Sequence, residues 1–359
     1  MGKKRIAILQ PIIPHFRKEF FSRLHEHHET DIYLYENIEQ ARKDSFEISS
    51  IPYRDIPHFQ IKGVLIYNPF CLFSKHYDSF VLMLHFAHLT TWILLLTKLL
   101  HRKKIILWGQ GISVKRYLQE EKHPDWKLKW MMKLADGAWI YTEKEAKLWK
   151  EIFPHKPIVA LNNTISQVDT LIKQRPVANK EVLKSQYGIL EERVLIFCAR
   201  FENPYRRIDL LIDAIEKLDK KRFGFIIIGD GKLKPDFSAY SNVHDFGKLY
   251  DESIKSDLFT IADIYFQPGW VGLSIVEAMA YGKPIFTFKR TEDTKQCVEY
   301  AYIIPHYNGI IFEDIEECIK QITHLSDSDI QTLGRNALEY AQQHLSMKHM
   351  VIQALSNLS

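Results

Sequence analysis

The chain has 359 residues, which exceeds the length at which a single hydrophobic core usually stops growing, so two domains of ordinary size are expected. Its 46% hydrophobic and 26% charged residues are typical of a globular protein. Lys and Arg number 48 against 44 Asp and Glu, and this net charge of +4 is too small to indicate nucleic-acid binding.

Short apolar runs alternate with helical stretches along the first half of the chain, and this alternation predicts a parallel sheet covered by helices. The predicted strands are Arg5–Leu9, Asp31–Tyr35, Val64–Tyr67, Ser79–Leu84, Lys104–Trp108, Gly137–Tyr141 and Ile158–Leu161. The most apolar segment, Val81–Leu100, contains His85, His88 and Lys98. It therefore predicts a buried strand, a loop and a helix, and no transmembrane helix is expected.

The first predicted strand leads into an amphipathic helix with Phe20 and Leu24 on its apolar face. One interpretation is that this face packs on the sheet. The other adds that Arg17, Lys18 and Arg23 contact an anionic membrane. The N-terminus has no signal-peptide pattern and the four cysteines have no metal or redox spacing, so we expect a cytoplasmic protein with reduced thiols, in peripheral contact with the inner face of the membrane.

A polar stretch from Gln167 to Lys184, which contains Pro176, predicts the boundary between the two domains. The strand pattern then restarts at Val194–Cys198, Phe223–Ile228, Val243–Phe246, Asp263–Phe266 and Pro284–Phe288. We expect domains of residues 1–165 and 166–340 and a C-terminal helix of residues 341–359. Because ligands of doubly wound domains bind beyond the carboxyl ends of the strands, the site is expected in the cleft between the domains.

Three arginines follow the first predicted strand of the second half. Arg200 stands just after the strand, and Arg206 and Arg207 precede the next helix. Guanidinium groups gathered at a strand end would form a strong anion site. The alternative is a solvated loop in which they pair with Glu202 or Asp209.

Two glycine turns also follow predicted strands. Gln110 lies in a Gly-Gln-Gly turn after Lys104–Trp108, and Gly229 opens a Gly-Asp-Gly turn after Phe223–Ile228. The first would suit the edge of the cleft, although a tight turn alone explains it. The second lacks the third glycine of a dinucleotide fingerprint, so it does not indicate an NAD site.

The stretch from Tyr265 to Phe288 combines a strand, a glycine loop, a short helix and another strand. Gly269 and Gly272 let the backbone turn closely before a helix that starts near Ser274. Free N–H groups at such a helix start are suited to bind an anion. Ser274 and Glu277 also have the spacing of a capping box, in which the glutamate only closes its own helix.

Residues 272–284, Gly-Leu-Ser-Ile-Val-Glu-Ala-Met-Ala-Tyr-Gly-Lys-Pro, resemble the donor-binding signature of retaining family-four glycosyltransferases. Those enzymes have the GT-B fold, an α/β fold of two doubly wound Rossmann-like domains that face each other across a cleft. The resemblance is specific in 194–212 and 262–288 and loose elsewhere. It also implies that the last helix, roughly Asp329–Ser359, crosses back to the first domain.

The resemblance implies roles for individual residues. Glu277 matches the glutamate that holds the nucleotide ribose, whereas Gly269 stands where the family has a first glutamate that contacts the sugar. Arg200 and Arg206 match the pair that grips the donor pyrophosphate. Further donor contacts are expected from Gly272, Leu273, Ser274, Gly229, Gln110, and Arg207, which is the alternate for Arg206.

The sequence thus predicts a retaining hexosyltransferase that moves a sugar from a nucleotide diphosphate donor, a UDP-sugar first, to a carbohydrate or lipid-linked acceptor hydroxyl. Bacterial surface polysaccharide or glycolipid assembly is the expected setting. No cofactor or metal is expected, since the acidic pair Asp327 and Asp329 precedes a helix and is explained as a cap. The alternatives are a non-catalytic nucleotide-sugar-binding subunit, because Gly269 replaces a glutamate, and a sugar-nucleotide epimerase of the same fold.

Overall fold

The structure is a computed structural model that describes residues 3–36, 51–174 and 179–358, so Pro176 of the predicted boundary lies outside the described residues. The chain divides into two compact units. The first comprises Met1–Gln167 together with Met347–Ser359, and the second comprises Val168–Ser346. The predicted divisions, after residues 165 and 340, lie two and six residues earlier.

The first unit is built on a parallel sheet. Its strands are β1 (Arg5–Gln10), β2 (Glu29–Leu34), β3 (Arg54–Asp55), β4 (His58–Ile61), β5 (Val64–Tyr67), β6 (Ser79–Met83), β7 (Lys104–Gly109), β8 (Gly137–Ile140) and β9 (Ile158–Ala160). Its helices up to Gln167 are α1 (Lys18–His27), α2 (Leu89–Leu96), α3 (Lys98–His101), α4 (Tyr117–Glu120), α5 (Trp126–Leu134) and α6 (Glu143–Ile152). Seven strands pair in the order β3-β2-β1-β6-β7-β8-β9, and the direction of winding changes between β1 and β6. Ile6 to Leu9 are fully buried, as expected for a strand covered on both faces.

The strand Val64–Tyr67 differs from its prediction, because it does not join the parallel sheet. It forms β5 of an antiparallel hairpin with β4. Lys62 and Gly63 connect the two strands with φ angles of 48° and 81°. Positive φ at both central residues is the geometry of the tight turns that match strand twist in hairpins. The Lys-Gly dipeptide was therefore the sequence signal for a hairpin.

The second unit repeats the design. Its strands are β10 (Arg193–Cys198), β11 (Phe223–Ile228), β12 (Val243–Asp245), β13 (Ile264–Phe266), β14 (Ile285–Phe288) and β15 (Gly309–Phe312). Its helices are α7 (Val168–Lys173), α8 (Lys180–Tyr187), α9 (Ile208–Lys217), α10 (Glu252–Ile261), α11 (Ser274–Ala280), α12 (Ile315–His324) and α13 (Asp327–His344). All six strands are parallel in the order β12-β11-β10-β13-β14-β15, so winding reverses between β10 and β13. Each unit is thus a doubly wound, Rossmann-like α/β unit, as predicted.

The end of the chain is two helices and not the single one predicted. After α13, which begins with a capping box between Ser326 and Asp329, the backbone leaves helical geometry at Leu345. A new helix, α14 (Met347–Leu358), packs on α1, β8 and β9 of the first unit. None of the helices within the described ranges combines the length and the apolar character that a membrane span requires.

Arg17, at the start of α1, is not available to a membrane. Only 5% of it is exposed, and its guanidinium carbon lies 4.5 Å from the ring centroid of Trp108 and 5.3 Å from that of Tyr141. Arg23 forms an ion pair with Glu19 one turn earlier. The interpretation that placed this basic group on an anionic surface is therefore wrong for Arg17, because the aromatic rings enclose its charge.

Candidate functional site

The predicted arginines and the glycine loop leave the second sheet at neighbouring strand ends. β10 and β13 lie side by side where the winding of the sheet reverses. Arg200 follows β10, and the loop from Gln267 to Leu273 follows β13. The N–H of Gly269 donates to the carbonyl oxygen of Arg206 at 3.2 Å, so the two loops touch. The reversal point at the carboxyl ends of strands is where open α/β sheets bind ligands.

A buried glutamine, Gln267, holds the glycine loop in place. Its amide nitrogen donates to the carbonyl oxygens of Gly269 and Trp270 at 3.1 and 2.8 Å. Its amide oxygen accepts from the hydroxyls of Tyr265 and Ser274. Sequence analysis missed this residue, although a lone polar side chain at the end of an apolar strand is a recognisable signal of a hydrogen-bonded core position.

A second buried glutamine, Gln296, supports the same loop from another segment. Its oxygen accepts from the N–H of Val271 at 2.8 Å, and its nitrogen donates to the carbonyl oxygens of Phe288 and Pro268 and to the hydroxyl of Thr287. Nothing in the sequence near Gln296 marks it, because its contacts with Pro268 and Val271, 28 and 25 residues earlier, depend on tertiary packing. The two glutamines fix the loop as a rigid element.

Close packing explains why position 269 is a glycine. A Cβ atom there would lie 2.3 Å from the carbonyl oxygen of Tyr205, so no side chain fits. The backbone of Tyr205 and Arg206 fills the position, and Tyr205 stacks on Trp270 with ring centroids 5.3 Å apart. The loop between β10 and α9 thus leaves no room for a side chain at position 269.

Gly272 differs, because the space in front of it is open. A Cβ atom there would meet only the sulfur of Cys297, at 4.0 Å. Leu273 and Ser274 follow directly at the start of α11. The hydroxyl of Ser274 donates to Gln267, 3.0 Å away. The open space beside Gly272 lies where the donor is expected.

Arg206 carries a positive charge that is largely buried in the second unit. Its Nε and Nη1 atoms are buried and make no hydrogen bond within the described ranges. Burial lowers the pKa of Arg206 from its ordinary value, and the neighbouring Arg200 lowers it further. A buried guanidinium nitrogen normally has a partner, so this arrangement is suited to receive an anion.

Arg207 is engaged in its own loop. Its guanidinium forms an ion pair with Asp209 at 2.7 Å and also donates to the hydroxyl of Thr294. The hydrogen bond from Arg207 lowers the pKa of Asp209. These contacts match the alternative interpretation of a loop ion pair, while a donor contact from Arg207 stays a prediction.

Glu277 faces inward from α11 and pairs with Lys255 of α10 at 2.8 Å, and both side chains are largely buried. Burial lowers the pKa of Lys255, but Glu277 and Glu252 outweigh it and leave the pKa above its ordinary value. Sequence analysis did not predict Lys255, because its partner lies on a different helix.

The charges of Glu277 and Arg206 both affect the pKa of Cys198, the last residue of β10. Burial raises the pKa of Cys198 to about 12, with Glu277 raising it and Lys255 and Arg206 lowering it. The same two charges act on the buried hydroxyl of Tyr265. Both charges therefore act on the carboxyl end of β10 and on Tyr265 of β13, the two strands at the reversal point.

The two glycine turns are explained by close packing, against backbone at Gly229 and against the indole of Trp149 at Gly111. Gly229 has a φ of 144°, and a Cβ atom there would lie 2.1 Å from the carbonyl oxygen of Ala199. Gln110 belongs to the first unit, where it is half-buried after β7, and the carbonyl oxygen of Gly111 accepts from the indole of Trp149. Donor contacts from Gly229 and Gln110 stay predictions.

The described part of the chain contains no group of three or more histidine, cysteine, aspartate or glutamate residues arranged to hold a metal ion. The expectation of metal-independent chemistry stays a prediction.

The fold and the site define an α/β protein with two Rossmann-like units, and solved structures with this architecture include GT-B glycosyltransferases and a putative UDP-N-acetylglucosamine 2-epimerase. The structure of Anabaena Alr3699/HepE in complex with UDP has a TM-score of 0.68 at 15% identity and covers 99% of each chain. The lipopolysaccharide outer core galactosyltransferase WaaB, in its apo form, has a TM-score of 0.64 at 14% identity and covers 98% of this chain and 99% of its own. At such identities the likeness shows the fold, and the GT-B prediction is confirmed.

The sequence comparisons point to the same class. The family described as Glycosyl transferases group 1 matches residues 192–328. An uncharacterized glycosyltransferase of Haemophilus influenzae is 25% identical over 197 residues, which cover 52% of this chain and 50% of the relative. The chain thus spans about half the length of this curated relative. Together these matches support a role in glycosyl transfer.

Proposed function

We propose that the chain is a retaining glycosyltransferase that moves a hexosyl group from a nucleoside diphosphate sugar to an acceptor hydroxyl. The observation that carries the proposal is that the loop of Arg206 and the glycine loop leading to Glu277 touch at the reversal point between β10 and β13. A guanidinium with unmatched donors suits the diphosphate, and a carboxylate suits the ribose hydroxyls. The match to residues 192–328 covers both.

In the proposed reaction, the bond between the anomeric carbon and the diphosphate breaks while the acceptor oxygen bonds to that carbon on the same face, and the acceptor hydroxyl gives its proton to the departing diphosphate oxygen. Arg200 and Arg206 stabilise the negative charge that develops on the departing diphosphate. Glu277 accepts hydrogen bonds from the ribose, and Lys255 holds it in position. Backbone N–H groups from Gly272 to Ser274 would contact phosphate or sugar beside the open space at Gly272. The mechanism needs no protein nucleophile and no metal.

A UDP-sugar is the first donor to test, because a structure of the same fold was solved with UDP. The likeness to a lipopolysaccharide galactosyltransferase supports an acceptor in surface polysaccharide or glycolipid assembly. A lipid-linked acceptor would bring the protein into peripheral contact with an anionic membrane. Donor binding and product analysis would identify the donated sugar and the linkage.

The test has two stages. A thermal-shift series with UDP-, GDP- and dTDP-sugars identifies the donor, because a ligand stabilises the folded state in proportion to its occupancy. Nucleotide release is then measured with a panel of acceptors, and the anomeric configuration of the product is determined by NMR. Donor binding without release across the panel would favour the non-catalytic subunit, and isomerised donor without acceptor would favour the epimerase.

Glu277→Gln should weaken donor affinity by at least about tenfold if the carboxylate binds ribose, because hydrogen bonds to a charged acceptor contribute about 1.5–3 kcal/mol. Glu316→Gln, an exposed position on α12, is the matched control. Binding is measured at a temperature where both variants are folded, since loss of the Lys255 pair also lowers stability. An unchanged donor affinity in Glu277→Gln would leave only the structural ion pair with Lys255.

A further inference from the structure

The outer face of α2 and α3 in the first unit is apolar and exposed. Leu99 and Leu100 are 87% and 83% exposed, and Leu96 is 67% exposed. The same face continues along α2 through Leu89 and Ile93. The opposite side of α2 packs inward with Thr90, Thr91, Leu94 and Leu95. A helix that is apolar on all sides is normally covered on all sides, so this face is suited to bury itself against a partner.

The helix α5 borders this face with aromatic and basic side chains. It packs against α2, and its Trp126 and Trp130 are 65% and 50% exposed one turn apart. Lys133 lies 4.9 Å from the ring centroid of Trp130, and Lys127 lies 4.9 Å from that of Phe86, in the loop before α2. Lys98 of α3 donates to the carbonyl oxygen of Leu134 at the end of α5, which joins the helices into one surface. We name this surface the α2–α5 face.

The charge of the α2–α5 face is positive. The segment Trp126–Leu134 has three lysines and no acidic residue, and Arg102 and Lys103 follow α3. The acidic residues at its borders, Asp125 and Asp136, form ion pairs with basic residues. Asp125 caps α5 and pairs with Arg116, and Asp136 pairs with Lys98.

We propose that the α2–α5 face docks on the surface of an anionic lipid bilayer. Exposed leucines would enter the boundary between head groups and acyl chains, tryptophans would lie at the level of the head groups, and lysines would contact lipid phosphates. A protein partner fits less well, because lysine is depleted in the cores of protein interfaces. Peripheral contact is part of the proposed function, and this inference assigns it to α2, α3 and α5 instead of α1.

Co-sedimentation with vesicles tests the assignment without donor or acceptor. The protein should bind vesicles of phosphatidylcholine with phosphatidylglycerol at low salt and bind pure phosphatidylcholine much less. The combined variant Leu96→Ser, Leu99→Ser, Leu100→Ser should lose at least about tenfold in binding, since three apolar side chains no longer enter the bilayer. Because these side chains are exposed, the variant should fold. The matched control is Leu190→Ser with Leu233→Ser, two exposed leucines of the second unit.

Brominated lipids provide a second measurement, because they quench tryptophans at the bilayer surface. Quenching should be strong in the wild type and weak in the variant Trp126→Phe, Trp130→Phe. Equal vesicle binding by the leucine variant and the wild type would overturn the proposal, as would the absence of any binding to anionic vesicles. A dimer in lipid-free solution that the leucine variant abolishes would also overturn it, because the face would then join two copies of the chain. Sugar transfer to a soluble acceptor is measured in parallel, so failure of the membrane contact is distinguishable from failure of the proposed activity.

Discussion

Arg206 holds a positive charge where two of its nitrogens are buried and make no hydrogen bond within the described ranges. A buried polar group without a partner lowers the stability of a fold by about 1–3 kcal/mol, and more when it is charged. Such a residue is retained when a ligand supplies the missing acceptors. The functional interpretation of Arg206 therefore predicts opposite effects of substitution on activity and on stability.

Arg206→Met should lower turnover by about a hundredfold, because charge on the leaving diphosphate loses its partner, while the free energy of unfolding stays equal or rises. Arg222→Met is the control. It breaks an exposed ion pair with Glu192 outside the candidate site, and such pairs contribute little to stability. Nucleotide release and urea denaturation measure the two quantities. If Arg206→Met instead loses stability and keeps its turnover, the residue is structural.

The stability of the first unit depends on pH through His88. Burial, and to a smaller extent the nearby His85, lower the pKa of His88 from 6.5 to about 3. The unfolded chain therefore binds the proton more readily, and stability present above pH 6.5 is lost as the pH falls toward 3. The contribution of this one group reaches about 1.4 kcal/mol per pH unit.

His88→Phe should retain the ring contact with Tyr35 and flatten the loss of stability between pH 6.5 and 3. Urea denaturation over a pH series measures the free energy of unfolding at each pH. The control is His155→Phe, at an exposed position. An equal slope in wild type and His88→Phe would show that other groups produce the acid dependence.

At the scale of elements, alternation of apolar runs was sufficient to predict most strands and the doubly wound sheets. The glycine loop and the arginines were also found, because turns and strand ends have local signals. The residues whose side chains contact the loop and Glu277 were not found. Gln296 and Lys255 reach the site from segments distant in sequence, and their roles depend on tertiary packing. The helix within Val81–Leu100 was correctly predicted as a helix, but periodicity alone could not show that its outer face is exposed.

Substitutions at the two glycines of the loop after β13 should have different effects. Gly269→Ala places a Cβ against the backbone of Tyr205, so the loop must shift and stability should fall by about 1–3 kcal/mol. Gly272→Ala adds a methyl group in open space, so stability should change little, whereas donor affinity should fall if that space holds the donor. Thermal unfolding and donor titration measure both. Equal donor affinity in Gly272→Ala and the wild type would move the donor away from this turn.

At the scale of the whole molecule, the first unit is made from two separate parts of the chain and the second from one. The helix α14 belongs to the first unit through specific bonds. The side-chain amide of Asn357 donates to the carbonyl oxygen of Pro157 at 2.7 Å, and Lys4 and Lys104 donate to the carbonyl oxygens of Leu358 and Asn357. Its buried face covers α1, β8 and β9.

Removal of residues 347–359 should therefore expose an apolar surface of the first unit and cause aggregation, whereas the isolated segment 168–346 should fold and bind the donor nucleotide. Circular dichroism and calorimetric titration of both proteins check this. Cooperative unfolding of the truncated chain at the temperature of the wild type would contradict it.

The position of α14 also sets an order of folding during translation. The ribosome makes the sheet of the first unit early, yet the helix that covers part of it emerges only after the whole second unit has been synthesised. The second unit can reach its native state while the first still has an uncovered apolar flank. A nascent chain stalled before Met347 should therefore recruit chaperones through its N-terminal half, and completion of the last helix should release them.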